Sequence, residues 1–235
     1  MKKGKLIVIE GTDSSGKNTQ SKILVERLNN EGIKTEMISF PMYETPTGRI
    51  IGECYLGKKY IEKKLVPNAP GESWFENPTG LDSLAASLYY AADRRIATPN
   101  IIKTLESGVH IVADRYVESN MGHQGGKIRD KAERLNLFED LDLLEHYILK
   151  IPRPDAVIFL YLPWQAAKKL KEGRDGHQDA HESDDEHLKN AENAYIELAE
   201  LRNWIKIGCA PEGYHIRTVE DIAEEVYQKA KPILL

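Results

Sequence analysis

A short glycine-containing loop between an apolar run and a helix-length segment limits most strongly what this chain can fold into. The apolar run is Leu6–Glu10 (LIVIE), and the helical pattern covers Gln20–Asn30. Between them stand two glycines five residues apart with a lysine after the second, which is the spacing of a P-loop. Such a loop points backbone N–H groups and the positive end of a helix dipole at a phosphate. The sequence therefore predicts a nucleotide-phosphate site formed by Gly11, Thr12, Asp13, Ser14, Ser15, Gly16, Lys17, Asn18 and Thr19.

Individual residues of this loop have separate predicted tasks. Gly11 and Gly16 permit the backbone turns, and Lys17 supplies a mobile charge to the β- and γ-phosphates of a bound nucleotide. The next residue of a P-loop is usually Ser or Thr, whose hydroxyl holds Mg²⁺, but this chain has Asn18. The amide oxygen of Asn18 can serve as a ligand, or water or Thr19 can take that place. Taken alone, the loop also fits a glycine-rich strand-to-helix turn without a ligand.

Strand-like runs alternate with helix-length segments along the rest of the chain. Several of the runs are continuously apolar, which is typical of parallel strands buried on both faces. This alternation predicts an α/β fold with a five-stranded parallel sheet and helices on both faces. Ligands of such sheets bind at the carboxyl ends of the strands. The predicted strands are Leu6–Glu10, Thr35–Ser39, His110–Ala113, Ala156–Leu162 and Tyr214–Thr218.

Length, charge and cysteine content exclude several classes of protein. The 235 residues suit a single domain over residues 1–235, and the net charge of -5 argues against binding a nucleic acid polymer. Two cysteines, Cys54 and Cys209, cannot form a disulfide framework or a cysteine zinc site. No apolar run is long enough for a signal peptide or a membrane span, so we expect a cytoplasmic protein.

The segment over residues 172–186 is almost entirely polar. It cannot pack a core, so it is either a solvated surface loop or a lid over the nucleotide. His177 and His181 lie in this segment and His187 follows it, but their spacing is not a persuasive zinc pattern. We expect these three residues to be solvated loop histidines.

Two charged clusters add to the phosphate loop. Asp114 and Arg115 directly follow a predicted strand, where an acid can reach a metal at the P-loop and an arginine can bind a phosphate in a forked geometry. Arg94 lies one turn after Tyr90 on a long predicted helix that begins near Leu81, so the two side chains share a helix face. Together they can stack on a base and hydrogen-bond its edge. Two alternatives stay open here: Asp93 with Arg94 as a surface ion-pair set, and Asp114 as a helix cap.

The motifs, in their order along the chain, resemble the thymidylate kinase family of P-loop nucleoside monophosphate kinases. The similarity covers nearly the whole chain, from GTDSSGKNTQ through SFPMY, YYAADRR, DRYVESNMGHQGG and PRPDAVIFLYL. Its specific parts are the DRY-x-x-S segment and the Phe40-Pro41 pair. The resemblance implies transfer of the γ-phosphoryl group of ATP to dTMP, giving dTDP and ADP, for dTTP synthesis. It also implies ATP and Mg²⁺ as cofactors and a homodimer.

Site residues follow from the same resemblance. It implies catalytic roles for Lys17, Asp13, Arg115 and Arg174, with Arg174 on the lid, and metal ligation by Asp114 and Asn18. The residues implied to contact dTMP are Asp13, Phe40, Pro41, Tyr43, Tyr90, Arg94, Arg115, Asn120, His123, Gln124 and Glu182. Two rival functions stay open. One is a kinase of the same fold for another nucleoside monophosphate or a deoxynucleoside, and the other is a nucleotide-binding regulator without turnover.

Overall fold

A five-stranded parallel sheet with the strand order β2-β3-β1-β4-β5 forms the centre of the protein. The computed structural model describes residues 2–58, 73–75, 80–172, 185–211 and 215–235. The predicted α/β class and the five-stranded parallel sheet are confirmed. The strands are β1 (Leu6–Gly11), β2 (Thr35–Ser39), β3 (His110–Asp114), β4 (Ala156–Tyr161) and β5 (Ile205–Gly208).

Helices cover both faces of this sheet. Those on the described residues are α1 (Lys17–Asn30), α2 (Pro46–Arg49), α3 (Ser83–Glu106), α4 (Val117–Gly125), α5 (Lys131–Asp142), α6 (Trp164–Glu172), α7 (Asp185–Leu201) and α8 (Val219–Leu234). Two π-helical turns, Ile50–Tyr55 and Leu143–Ile148, continue α2 and α5. In the parts of the chain that the structure describes, none of the helices is long and apolar enough to cross a membrane.

The central strand β1 supplies both hydrophobic cores because its side chains alternate between the two faces of the sheet. Leu6 and Val8 belong to the core formed with α3, α4, α5 and α7. Ile7 and Ile9 belong to the opposite core, formed with α1, α6 and α8. Both faces are therefore buried, which explains why this run reads as continuously apolar.

Glycines follow two of the helices at the turns that lead into strands. Gly32 follows α1 with φ 80°, and Gly108 follows α3 with φ 82°. This left-handed conformation costs glycine little because it has no Cβ. Each turn redirects the chain into a strand, β2 after α1 and β3 after α3.

The position predicted for the fifth strand is wrong. Residues 215–218 of the predicted strand Tyr214–Thr218 are not in the sheet, residue 214 lies outside the described residues, and the edge strand is β5. Ile205 and Ile207 pair with β4, and Ile207 is fully buried, whereas His215 and Ile216 are exposed. Both segments are short and alternate apolar with polar residues, so burial against β4 decides between them.

Candidate active site

The P-loop joins β1 to α1 at the carboxyl edge of the sheet. Gly16 and Ser14 have positive φ angles of 85° and 59°, which turn the backbone into the helix. A Cβ on Gly11 would lie 2.5 Å from the carbonyl oxygen of Leu160, so the loop can pass this close to β4 only with glycine there. Lys17 is buried, and its Nζ donates to the carbonyl oxygens of Gly11 (3.0 Å) and Thr12 (2.8 Å).

The charge of Lys17 is sensitive to its surroundings. Burial, followed by the nearby Arg115 guanidinium, lowers the pKa of Lys17 to about 8, while Asp13 and two further carboxylates act in the opposite direction. A bound phosphate would add negative charge beside the ammonium group and favour its protonated form. The lysine is therefore suited to hold an anion at this loop.

Asp114 ends β3 next to the P-loop. Its Oδ2 accepts hydrogen bonds from Asn18 Nδ2 at 3.0 Å and from Ser39 Oγ at 3.3 Å. Its Oδ1 is buried and has no hydrogen-bond partner in the described part of the chain. The N-cap position of α4 belongs to Tyr116, so Asp114 does not cap that helix. A buried carboxylate oxygen beside the oxygen-bearing Asn18 side chain fits a hard cation such as Mg²⁺, which binds through one or two carboxylates together with phosphates and water.

Arg115 has a strained backbone and a cavity-facing side chain. Its φ is 65°, an uncommon conformation for a residue other than glycine. Its Nη2 donates to Asp13 Oδ1 at 2.8 Å, and its Nη1 lies 3.1 Å from His123 Nε2. Burial alone would lower the pKa of Arg115, but the carboxylate of Asp13 raises it well above its ordinary value. The guanidinium is therefore a permanent positive charge between the P-loop and α4.

A cavity of about 410 Å³ opens beside the P-loop, between the end of β2 and helices α3 and α4. It brings together every predicted dTMP-contacting residue that the structure describes. Both predicted metal ligands line it as well. Arg174 and Glu182 lie outside the described residues. The cavity is lined by Asp13, Asn18, Ser39, Phe40, Pro41, Tyr43, Leu56, Lys58, Tyr90, Arg94, Asp114, Arg115, Tyr116, Ser119, Asn120, His123 and Gln124.

Arg94 and Asp93 are buried rather than paired at the surface, with 1% of each residue exposed. Nε and Nη2 of Arg94 donate to the two carboxylate oxygens of Glu145 at 2.5 and 2.6 Å, and Nη1 donates to the carbonyl oxygen of Tyr116 at 3.2 Å. Asp93 accepts from the backbone N–H of Met42 at 2.8 Å. The alternative of a surface ion-pair set is therefore wrong.

A buried carboxylate that no sequence motif indicated contacts residues of the cavity lining. Glu10 is fully buried and accepts hydrogen bonds from Tyr116 N (2.9 Å), Ser119 Oγ (2.8 Å) and Tyr195 Oη (3.3 Å). Burial raises the pKa of Glu10, while the positive charges of Arg115 and Lys17 lower it. The signal in the sequence was a charged residue at the end of an otherwise apolar strand.

Helix α7 packs closely on α4 beside the cavity. A Cβ on Gly122 would lie 2.6 Å from the Tyr195 ring, so glycine is needed for the two helices to approach this closely. The ring of His187 stacks on His123 with centroids 5.7 Å apart, and Tyr195 meets His123 edge-on at 5.6 Å. His187 is 5% exposed, so the expectation that it is a solvated loop residue is wrong. His177 and His181 lie outside the described residues.

Comparisons with known proteins agree with this geometry. The sequence profile of the family described as thymidylate kinase matches residues 9–67 and 73–220. Human thymidylate kinase is 32% identical over 177 residues, which is 75% of this chain and 69% of the human protein. Thymidylate kinase from Plasmodium falciparum is 29% identical over 234 residues, covering 99% of this chain and 92% of its own.

A solved structure supports the fold. The thymidylate kinase from Candida albicans superimposes with a TM-score of 0.69, at 23% identity, over 98% of this chain and 92% of its own. The profile covers most of the chain and includes the P-loop, the cavity-lining residues and Arg115. Another acceptor nucleotide and a regulator without turnover are not favoured. The chain thus belongs to the thymidylate kinase family, and it is an enzyme of nucleotide biosynthesis that transfers the γ-phosphoryl group of ATP to dTMP.

Proposed function

We propose that the P-loop holds the β- and γ-phosphates of ATP while the 410 Å³ cavity holds dTMP, so that the two substrates meet at Arg115. This arrangement is supported by residues that the P-loop and the cavity have in common. Asp13 and Asn18 belong to the P-loop and also line the cavity that contains Arg115 and Tyr90. Phosphoryl transfer requires donor and acceptor phosphates to lie in line and in contact.

Within the cavity, the thymine ring lies against Tyr90 and Phe40, and the dTMP phosphate lies at Arg115. Arg94 faces the edge of the base. A guanidinium has five N–H donors, and three of those of Arg94 are used by Glu145 and Tyr116. Two donors of a rigidly held group remain for the carbonyl oxygens of thymine. Asn120 and Gln124 are buried on α4 in the same lining and offer further amide groups.

The reaction needs placement and charge neutralisation more than covalent chemistry, because the acceptor phosphate is already an anion. Lys17 neutralises the phosphates of ATP, and Arg115 neutralises the phosphate of dTMP. The two cations let two anionic groups approach each other. Arg174 and Glu182 of the predicted lid, residues 172–186, remain predictions about the catalytic cation and a further substrate contact.

Mg²⁺ fits at Asp114 and Asn18. The buried Oδ1 of Asp114 has no hydrogen-bond partner in the described residues, and the Asn18 side chain, whose Nδ2 contacts Asp114 Oδ2, also carries an amide oxygen. When bound there, Mg²⁺ would offset the negative charge of the ATP phosphates. Asp114→Asn keeps the shape and removes the charge. We expect it to raise the Mg²⁺ concentration needed for half-maximal activity, and an unchanged Mg²⁺ titration would place the ion elsewhere.

The acceptor assignment is tested with Tyr90→Ala in an ADP-release assay with ATP and dTMP. Loss of a stacked ring should raise KM for dTMP by about 10–100-fold, because base–aromatic stacking stabilises by about 1–3 kcal/mol. KM for ATP should stay within about twofold, since Tyr90 lies on the acceptor side. Tyr89→Ala is the matched control, because Tyr89 is exposed and does not line the cavity. An equal rise in both variants would contradict the assignment.

An exposed apolar stripe on α3 supports the expected homodimer. Leu84, Leu88 and Ile96 lie on one helix face with 47%, 51% and 59% of each residue exposed. Leu88→Glu should shift the protein from dimer to monomer in light scattering after gel filtration, and a wild-type monomer would reject the dimer. A single domain over residues 1–235, the absence of nucleic acid binding and a cytoplasmic location stay predictions of the sequence.

A further inference from the structure

The side chain of Arg115 is held by two acceptors of different charge. Asp13 Oδ1 accepts from Nη2 at 2.8 Å, and His123 Nε2 lies 3.1 Å from Nη1. A guanidinium only donates hydrogen bonds, so Nε2 must be the acceptor. The imidazole of His123 in this contact is therefore neutral and carries its proton on Nδ1. Two acceptors on separate guanidinium nitrogens fix both the position and the plane of the group.

The His123 ring is itself held from α7. His187 stacks on it with the ring planes 14° apart, and Tyr195 meets it edge-on at 88°. Tyr195 Oη donates to Glu10, and Glu10 accepts the backbone N–H of Tyr116, the residue after Arg115. Tyr195 therefore contacts the His123 ring directly and, through Glu10, is connected to the backbone next to the strained residue Arg115.

We infer that His123 is a positioning residue for Arg115: its Nε2 lone pair orients the guanidinium toward the dTMP phosphate without neutralising it. This inference rests on the proposed binding of that phosphate by Arg115. The choice of acceptor matters because Asp13 already supplies one negative charge. A second carboxylate would cancel the attraction of Arg115 for an anion, whereas a neutral imidazole fixes the group and leaves its charge balance unchanged. Three of the five guanidinium donors remain for the phosphate.

This role makes the site sensitive to acid. Protonation of His123 at Nε2 would remove the acceptor and place a second cation 3.1 Å from Arg115. Arg115 before α4, and His187 and Tyr195 of α7, contact the ring directly. Asp13 of the P-loop contacts Arg115, and Glu10 of β1 contacts Tyr195, so these charged groups lie one contact further away. We expect kcat/KM for dTMP to fall on acidification more steeply than titration of the dTMP phosphate alone explains.

Three variants test the inference. His123→Phe keeps a ring and removes the acceptor, His123→Gln offers an amide oxygen that does not titrate, and His187→Phe keeps the stack without touching Arg115. Binding of dTMP and of thymidine is measured by calorimetry at pH 8, because only dTMP carries the phosphate. We expect His123→Phe to weaken dTMP binding by about 10-fold or more beyond any loss for thymidine, typical of a lost contact to a charged group. His123→Gln and His187→Phe should stay within about threefold of wild type for both ligands.

Failures of the two proposals are distinguishable. If wild type binds dTMP no more tightly than thymidine, the role of Arg115 in the proposed function fails. If wild type prefers dTMP and His123→Phe keeps that preference, only the role of His123 fails. Because His187→Phe keeps the stacked ring, an equal loss in that variant would assign the effect to the packing of α7 on α4 and also overturn the inference. The pH profile of kcat/KM from 5.5 to 8 is the second measurement: His123→Gln should lose the extra acid sensitivity, and a profile parallel to wild type would overturn the role.

Discussion

Arg94 and Arg115 line the same cavity, yet their surroundings differ. The Arg94 side chain is 2% exposed, and a fully buried carboxylate, Glu145, binds it through two nitrogens. The Arg115 side chain is 26% exposed and has one hydrogen bond to Asp13 and one contact with His123. The first arginine has most of its donors satisfied within the protein, whereas the second keeps most of them toward the cavity.

The difference separates an arginine that mainly maintains the fold, and offers a ligand only its two remaining donors, from one that is mainly available to a ligand. A buried ion pair contributes little net stability, but removing one partner leaves an uncompensated charge in a low-dielectric interior. A partly exposed arginine such as Arg115 can exchange solvent for phosphate at modest cost.

Arg94→Ala should have the largest effect, a loss of about 3–5 kcal/mol in the free energy of unfolding, because Glu145 would remain buried without its cation. Chemical denaturation at pH 7 measures it. The double variant Arg94→Met with Glu145→Leu is the control, since it removes both charges and should recover most of that loss. A small loss in Arg94→Ala alone would show that the pair is not structurally required.

Arg115→Ala should lower kcat/KM for dTMP by about 100- to 1000-fold, which corresponds to about 3–4 kcal/mol of lost transition-state stabilisation. The loss of unfolding free energy should be clearly smaller than in Arg94→Ala, because the Arg115 side chain is partly solvated. Steady-state kinetics and denaturation of the same preparations provide the comparison. Arg115→Lys keeps the charge but not the forked geometry, so its activity should lie between that of wild type and that of Arg115→Ala. A larger loss of unfolding free energy in Arg115→Ala than in Arg94→Ala would contradict the difference in structural role between the two arginines.

Glu118→Gln should stabilise the protein at alkaline pH. Burial and then the charge of Glu10 raise the pKa of Glu118 from 4.5 to about 8, despite the opposing charge of Arg94. Because the folded protein favours the protonated acid, stability is full below pH 4.5 and decreases as pH rises toward 8. Glutamine does not titrate, so the stability advantage of the variant over wild type should be about 3–4 kcal/mol larger at pH 8 than near pH 5. Denaturation at both pH values checks this, and an equal difference at each would contradict the proposed titration.

Arg153→Ala should have the smallest effect. Arg153 binds both oxygens of Asp142 in a forked pair, but its side chain is 57% exposed. Exposed pairs typically contribute about 0–1 kcal/mol, so the unfolding free energy should change by less than about 1 kcal/mol. That change should shrink further in 1 M NaCl because salt screens exposed charges. A loss as large as that of Arg94→Ala would show that burial does not decide how much an arginine ion pair contributes to stability in this protein.

Local patterns in the sequence were sufficient to predict the site residues that directly follow a strand. The P-loop and Asp114 are found where the apolar runs stop, because parallel strands bring their carboxyl ends to one edge. The partner of Arg94 was not predictable in this way. Glu145 is 51 residues distant and lies on a π-helical turn, and only tertiary packing brings the two together.

Edge and network features were also beyond local patterns. Among the described residues, strand β5 is four residues long and pairs only with β4. It has two apolar residues, as many as residues 214–218, so composition does not separate the two segments. The contacts of Glu10 join three segments of the chain, although its charge at the end of an apolar strand was visible. Arg174 and Glu182 stay predictions because they lie outside the described residues.

The close approach at Gly122 limits the order in which this site can change during evolution. A methyl group there would meet the Tyr195 ring at 2.6 Å, so a larger residue becomes acceptable only after Tyr195 has shrunk. Shrinking Tyr195 first removes a hydrogen bond from Glu10 and a neighbour from His123. Either single step is therefore costly, and the effects of the two substitutions should not add. Lineages of this enzyme are expected to keep both residues or to replace them together.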